Sequence, residues 1–164
     1  MADFLSRNTF DPDTTYFVHL QSPGTGRLAV PRSVGAGLRT APATPLLTWI
    51  FDSVRQENTR PEDNLQRLSV DSLAQVTHRA GYQSVVLAGV DEQGRVPFLD
   101  NEEDLPYQVD DERITEASRL VSLAIDALDR EVAARAMLAR SKASIQDTVE
   151  RPATPPQDLP TKAE

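Results

Sequence analysis

Apolar residues fall along this chain in short clusters divided by turn-forming residues, and the spacing inside the clusters changes from strand-like to helix-like at Thr44. Before that point, Thr15–Leu20 combines aromatic and β-branched residues, and Gly26–Val30 is a second short apolar run after a turn of Ser22, Pro23, Gly24 and Thr25. Two such runs joined by a turn predict a β-hairpin. Pro31 then ends the second strand, Ser33 stands where it could cap a short helical turn over Val34–Leu38, and Pro42 and Pro45 bracket a loop. From Thr44 the pattern becomes helical. Thr44 is placed as N-cap and Pro45 as the first helical residue, while Leu46, Leu47, Ile50, Phe51 and Val54 recur at helical spacing with Trp49 close beside that face. After a polar loop at Asn58–Asn64 a second helix is expected, with Ser69 or Asp71 as cap, Val70, Leu73, Val76 and Thr77 inward, and Gly81 as its stop.

Tyr82–Val90 is continuously apolar, and so short a run is compatible with either a buried strand or a continuation of the second helix. An acidic stretch follows, with a turn at Glu92–Gly94, an apolar patch at Val96–Leu99 and a loop ending in Asp110, Asp111 and Glu112. Those three acids suit the positive end of a helix. The helix they open is expected over Ile114–Asp147, free of Gly and Pro, with Ile114, Ala117, Val121, Ile125, Leu128 and Val132 on one stripe. Asp126 and Glu131 precede Arg130 and Arg135 by four residues, the spacing of helical ion pairs. Beyond Val132 the stripe thins to alanines with Met137 and Leu138. That half is expected to project and to meet a partner through Val132, Met137 and Leu138. The predicted fold class is α+β: a short N-terminal β-hairpin, then a mainly helical domain with a long C-terminal helix and a disordered tail. The expected divisions are a flexible leader at 1–14, an α+β domain at 15–130, the projecting helix end at 131–147 and a Pro-rich tail at 148–164.

Composition narrows what such a chain can do. At 164 residues it has room for one domain of moderate core, and a net charge of −8 with no basic run speaks against nucleic acid and against a membrane surface. With no Cys, thiolate-bound zinc and disulfides are excluded, and the two histidines lack ligand spacing. The lack of Cys fits an intracellular location, and neither a signal-like start nor an apolar run long enough to span a bilayer is expected. The turn Gln21–Arg27 invites comparison with a phosphate loop, yet aligning Gly26 with the second motif glycine puts Gln21, Arg27 and Leu28 at the positions that need Gly, Lys and Ser/Thr. The acids Asp100, Glu102, Glu103 and Asp104 resemble a calcium loop, but Leu105 stands at the required glycine and Asp111 at the closing Glu. His19 and His78 have no nucleophile elbow to serve. The reading is a non-enzymatic protein with no cofactor and no metal, acting through protein–protein contacts.

The order of elements resembles the small tail assembly chaperones of long-tailed bacteriophages from GC-rich hosts. The resemblance rests on Val18, Leu20, Ser22, Pro23 and Gly24, on Pro31 and Arg32, on the small-residue run from Ser33 that leads to Pro45, Leu46 and Leu47, and on the apolar run Ser84–Val90 followed by an acidic loop and closing helix. It covers roughly Thr15–Leu128; Gln21 departs from the usual Pro, and the closing helix lacks the aromatic often found there. The preponderance of Arg, with Lys142 and Lys162 as the sole lysines, agrees with a GC-rich genome. The resemblance implies a protein of the host cytoplasm that binds the tape-measure protein and keeps it soluble during tail morphogenesis, with no catalytic residues. Another viral assembly or adaptor protein is the alternative.

Overall fold

The computed structural model describes residues 1–37, 39–56, 65–99, 102 and 105–150, with the side chains of Gln56, Tyr107 and 143–150 outside the description. In chain order the elements are α1 (Ala2–Arg7), β1 (Tyr16–Gln21), β2 (Arg27–Ala29), β3 (Ser33–Val34), β4 (Ala41–Pro42), α2 (Pro45–Gln56), α3 (Leu73–Arg79), β5 (Gln83–Val90), a 3₁₀ turn at Pro106–Gln108 and α4 (Asp111–Glu150). The fold is mixed α+β, and two compact units are distinguished, Met1–Leu128 and Asp129–Glu164. The expected loop at Asn58–Asn64 and the Pro-rich tail lie outside the described residues.

The apolar run whose character the sequence left open is a strand, and it is the centre of the sheet. β5 pairs in parallel with β1, from Tyr16 opposite Gln83 to Gln21 opposite Ala88, and antiparallel with β2, Leu28 opposite Gly89. The order is therefore β1-β5-β2, and the expected hairpin does not form: β1 and β2 are separated by a strand that begins only at Gln83. Burial on both faces explains the unbroken apolar run. Val85 and Leu87 point to one side, into a core with Leu28, Val30, Leu47, Ile50, Phe51, Ala117 and Ala124. Val86, Ala88 and Val90 point to the other, against Ala29, Val34, Ala41, Leu68, Ala74 and Val96. The first layer is supplied by α2 and the first half of α4, the second by α3 and the β3–β4 pair.

The glycine-rich turn has a structural task that follows from this topology. It must lead β1 away and bring β2 back across the width of an intervening strand, so it lies over β5. Gly26 takes φ +65°, a conformation costly for any residue with a Cβ, and Thr25 closes the turn by donating its N–H to the Ser22 carbonyl at 3.1 Å. A Cβ on Gly89 would lie 1.9 Å from the Thr25 carbonyl oxygen. From the other side Asp110 donates its N–H to the Gly24 carbonyl at 2.9 Å, tying the turn to the start of α4. Asp110 also caps that helix, its Oδ1 accepting from the Glu112 N–H at 2.8 Å, with Asp111 and Glu112 in the first turn.

Several other expectations are corrected. The leader carries a regular element, the short α1, where an Arg7–Asp3 pair at 2.9 Å spans one turn. Ser33 and Val34 form a strand opposite Pro42 and Ala41 rather than a helical turn, since Gly35 at φ +122° breaks the helix and Val34 also bridges Leu68; Leu38 lies outside the described residues. Helix α3 is capped by Ser72, not Ser69 or Asp71, because Gln75 completes a capping box there: its Oε1 accepts from the Ser72 N–H at 3.1 Å. Its buried residues are Ala74, Gln75 and Thr77 while Leu73 is exposed; Gln75 can be buried because its Nε2 also donates to the Arg39 carbonyl at 2.8 Å. Thr44 precedes α2 as expected, but its hydroxyl accepts the Ser84 N–H at 2.8 Å and so docks the helix on β5. On α4 the buried positions are the small Ala117 and Ala124, which let the helix approach the sheet closely, and Ile114 and Ile125 are left exposed.

Candidate functional site

The three residues proposed for partner binding lie in the unit Asp129–Glu164, all in α4 and all exposed: Val132 at 40%, Met137 at 68% and Leu138 at 61%. At 100° per residue they do not form one stripe. Val132 shares a face with Ala136 and Ala139, whereas Met137 and Leu138 stand on two other faces. What the helix offers is apolar contact on more than one side, set among charges such as the Glu131–Arg135 pair at 2.7 Å, which has the predicted four-residue spacing.

Within Met1–Leu128 the outward face of α2 carries a feature the sequence reading misplaced. Trp49, expected beside the apolar face, is 58% exposed. The helical period explains it: Leu47, Ile50, Phe51 and Val54 cluster in one direction, and Trp49 lies nearly opposite. Beside the indole is a depression of about 350 Å³ bounded by Arg32 and Asp52, whose Nη2 and Oδ2 are 2.7 Å apart. A large exposed aromatic next to an Arg–carboxylate pair has the composition of an interface anchor.

A third feature lies where β2, the end of α2 and the first turns of α4 meet, a groove of about 390 Å³. Leu28, Val54, Leu120 and Leu123 contribute apolar lining, and Arg27, Arg55, Arg113 and Arg119 line it together with Glu112 and Glu116. The Arg55 Nη2 donates to the Leu28 carbonyl at 3.2 Å, and Arg113 pairs with Glu116 at 2.9 Å. These arginines come from three parts of the chain, so no run in the sequence announces them.

The chemical candidates are dispersed. Gln21 and Arg27 end and begin different strands, and Leu28 is a core residue. Glu102 is exposed, and Asp100, Glu103 and Asp104 lie outside the described residues; among those described, no group of three or more acidic or His side chains could hold a metal. His78 faces solvent at the end of α3. His19 is buried under the same helix with Nε2 3.0 Å from Thr77 Oγ1, and since that hydroxyl donates to the Ala74 carbonyl at 3.1 Å, the imidazole N–H is the donor to it. Burial lowers the His19 pKa below its ordinary value and favours this neutral form. Its stacking on Phe17 completes a packed, hydrogen-bonded core histidine. No helix among the described residues is long and apolar enough to cross a membrane. No protein-family model, curated protein or solved structure matches the chain.

Proposed function

We propose that this is a non-enzymatic tail assembly chaperone of a long-tailed bacteriophage, acting in the host cytoplasm by binding the tape-measure protein and keeping it soluble until tail-tube subunits assemble around it. The observation that carries the reading is the 40-residue helix α4, whose distal part exposes Val132, Met137 and Leu138 on several sides. A chaperone of long helical segments has to offer apolar contact without associating irreversibly. Isolated apolar side chains on a charged helix meet that need, and the flexible thioether of Met137 adapts to irregular partner surfaces. The chain's net charge of −8 keeps the complex dispersed. The order of motifs that resembles this family supplies the identity of the partner.

Co-expression with the tape-measure protein of the same phage tests this directly. The parent brings the partner into the soluble fraction, and Val132→Asp, Met137→Asp and Leu138→Asp each reduce the yield, because each removes contact on a different side. A parent that neither binds nor solubilises it overturns the reading. Exposed Trp49 favours a second form of it, an assembly adaptor that binds through the unit Met1–Leu128: in that case Trp49→Ala abolishes partner capture and the helix substitutions do not.

A further inference from the structure

We infer that the outer edge of β1, together with the adjoining flank of α4, is the contact through which two copies of this chain form a two-fold dimer. The inference uses only the unit Met1–Leu128 and does not depend on the partner proposed above. It starts from a difference between the two edges of the sheet. An open edge strand presents a row of unpaired N–H and C=O groups to any other strand, and proteins blunt it with brevity, charge, proline or a cover. β2 is blunted in three ways: it has three residues, it opens on Arg27, and the Arg55 Nη2 donates to its Leu28 carbonyl at 3.2 Å. β1 has none of these. It runs for six residues, Tyr16–Gln21, in unbroken register with β5 and without Pro, Lys, Arg, Asp or Glu. Among the described residues no backbone group is bonded to its outer side, and the leader carbonyls of Phe10 and Asp13 accept from Tyr82 and Gln83 instead.

The layer above this edge is apolar as well. Leu20 stands opposite Leu87 in the parallel register, so its side chain points to the face that α2 and α4 cover, yet it is 54% exposed. On α4, Arg113, Glu116, Leu120 and Leu123 line the groove with β2 and α2. The flank turned away from them is Ile114, Ser118, Val121, Ser122 and Ile125, which at 100° per residue form one strip without a charged member. Ile114 lies beside the turn that leaves β1, where a Cβ on Gly24 would be 3.0 Å from its Cδ1, and Ile125 is 49% exposed. These observations choose the occupant. A single extended peptide can pair with the β1 edge, but it leaves the α4 strip, one layer higher, in water. A second copy covers both layers at once: β1 meets its twin antiparallel across the two-fold axis, and the α4 strip of each copy faces that of the other. In such a contact a charge near the axis would repel its own image, and β1 and the strip carry none although the chain is at −8. His19, the titratable group in mid-strand, is buried on the opposite face against Thr77. The contact is one strand long, about 20 Å at 3.3 Å per residue, which puts it at the low end of specific interfaces and makes the dimer reversible at micromolar concentration.

The test is sedimentation velocity of the full-length protein from about 1 µM to about 500 µM, a range that brackets a micromolar dissociation constant, with hydrogen exchange of the β1 amides measured at both ends. The expected result is a shift from monomer to dimer and slower exchange of Phe17–Gln21 at the upper end, with β2 unchanged. Leu20→Lys and Ile125→Lys, both at exposed positions, each raise the dissociation constant about tenfold or more, since a symmetric contact carries the substitution twice. Both keep the parent circular dichroism. Leu138→Lys, in distal α4, leaves the equilibrium as it is. The inference is overturned if the parent stays monomeric throughout, if a dimer forms while β1 exchanges as fast as in the monomer, or if Leu20→Lys dimerises like the parent. It is overturned equally if Leu138→Lys abolishes the dimer, which would place the contact in distal α4. A chain that stays monomeric alone but gains β1 protection on co-purification with the tape-measure protein assigns the edge to a partner strand, and that too refutes a second copy as its occupant.

Discussion

Replacing Gly89 by Ala puts the insertion of β5 between β1 and β2 to a quantitative test. Gly89 has extended backbone in β5 opposite Leu28, so the conformation itself tolerates alanine, and shrinking the unfolded ensemble would by itself stabilise the protein by about 0.4–1 kcal/mol. The contacts argue the other way. The new methyl carbon would lie 1.9 Å from the Thr25 carbonyl oxygen and 2.3 Å from that of Ser22, and both are backbone atoms that cannot rotate aside. To reach the 3.0 Å below which such contacts essentially do not occur, the turn must retreat by roughly 1 Å, since 3.0 less 1.9 is 1.1. That shift strains the bond from Thr25 to Ser22 and the one by which Asp110 holds Gly24 at the start of α4. Overpacking of this kind costs about 1–3 kcal/mol, and two weakened hydrogen bonds add about 1 kcal/mol each. The net destabilisation is about 3 kcal/mol, or roughly 10 °C in melting temperature for a unit of this size. Gly37→Ala is the control: nothing lies within 4 Å of its added Cβ, and φ +57° alone costs about 1 kcal/mol. Thermal melts followed by circular dichroism should rank the two variants in that order. A Gly89→Ala protein that melts within about 2 °C of the parent, or above Gly37→Ala, refutes the placement of the turn over the central strand.

Three further outcomes follow from single sites. His19 has a folded pKa below its unfolded value near 6.5, so the unfolded state binds the extra proton first: stability is intact above that pH and falls as pH drops through the window beneath it, by at most about 1.4 kcal/mol per unit, and urea midpoints for His19→Gln should lack this component. Ser72→Ala removes the side-chain half of the capping box on α3 and should cost about 1 kcal/mol in the same titration, with Ser69→Ala nearly silent because Ser69 caps nothing. Trp49 should emit as a solvent-exposed indole quenched by iodide, and Trp49→Ala should change stability by no more than about 0.5 kcal/mol; a shielded emission would show that the outward face of α2 is covered.

What the sequence made legible was set by how local the deciding interaction is. The strand expected at Thr15–Leu20 and found at Tyr16–Gln21, the helix opened by Thr44 and Pro45, the stop at Gly81 and the acids at the start of α4 each depend on nearby residues, and all four stand in the structure within a residue of where the pattern put them. The hairpin failed for the opposite reason. A turn rich in Pro and Gly can return the chain to the adjacent position or one strand further away, and only β5, far along the sequence, decides between them. The same run of apolar residues left β5 ambiguous, because a strand buried on both faces loses the alternation that identifies strands. Trp49 was legible but misassigned, since the period that places Leu47, Ile50 and Phe51 inward also turns the indole outward.

The arginine groove was beyond any linear reading, because its lining comes from β2, the end of α2 and the start of α4. A hairpin would have paired β2 directly with β1. With β5 between them, β2 is an outer strand, and Arg55 of α2 reaches its Leu28 carbonyl. The groove gathers arginines from β2 and α2 beside Arg113 and Arg119 of α4, whose own start is tied to the turn by the bond from Asp110 to Gly24. The glycine-rich turn therefore helps set the positions of two of the three elements that form the groove. Gly89→Ala therefore disturbs more than the turn: as the turn retreats, β2 and the start of α4 shift with it, and the melting temperature should fall.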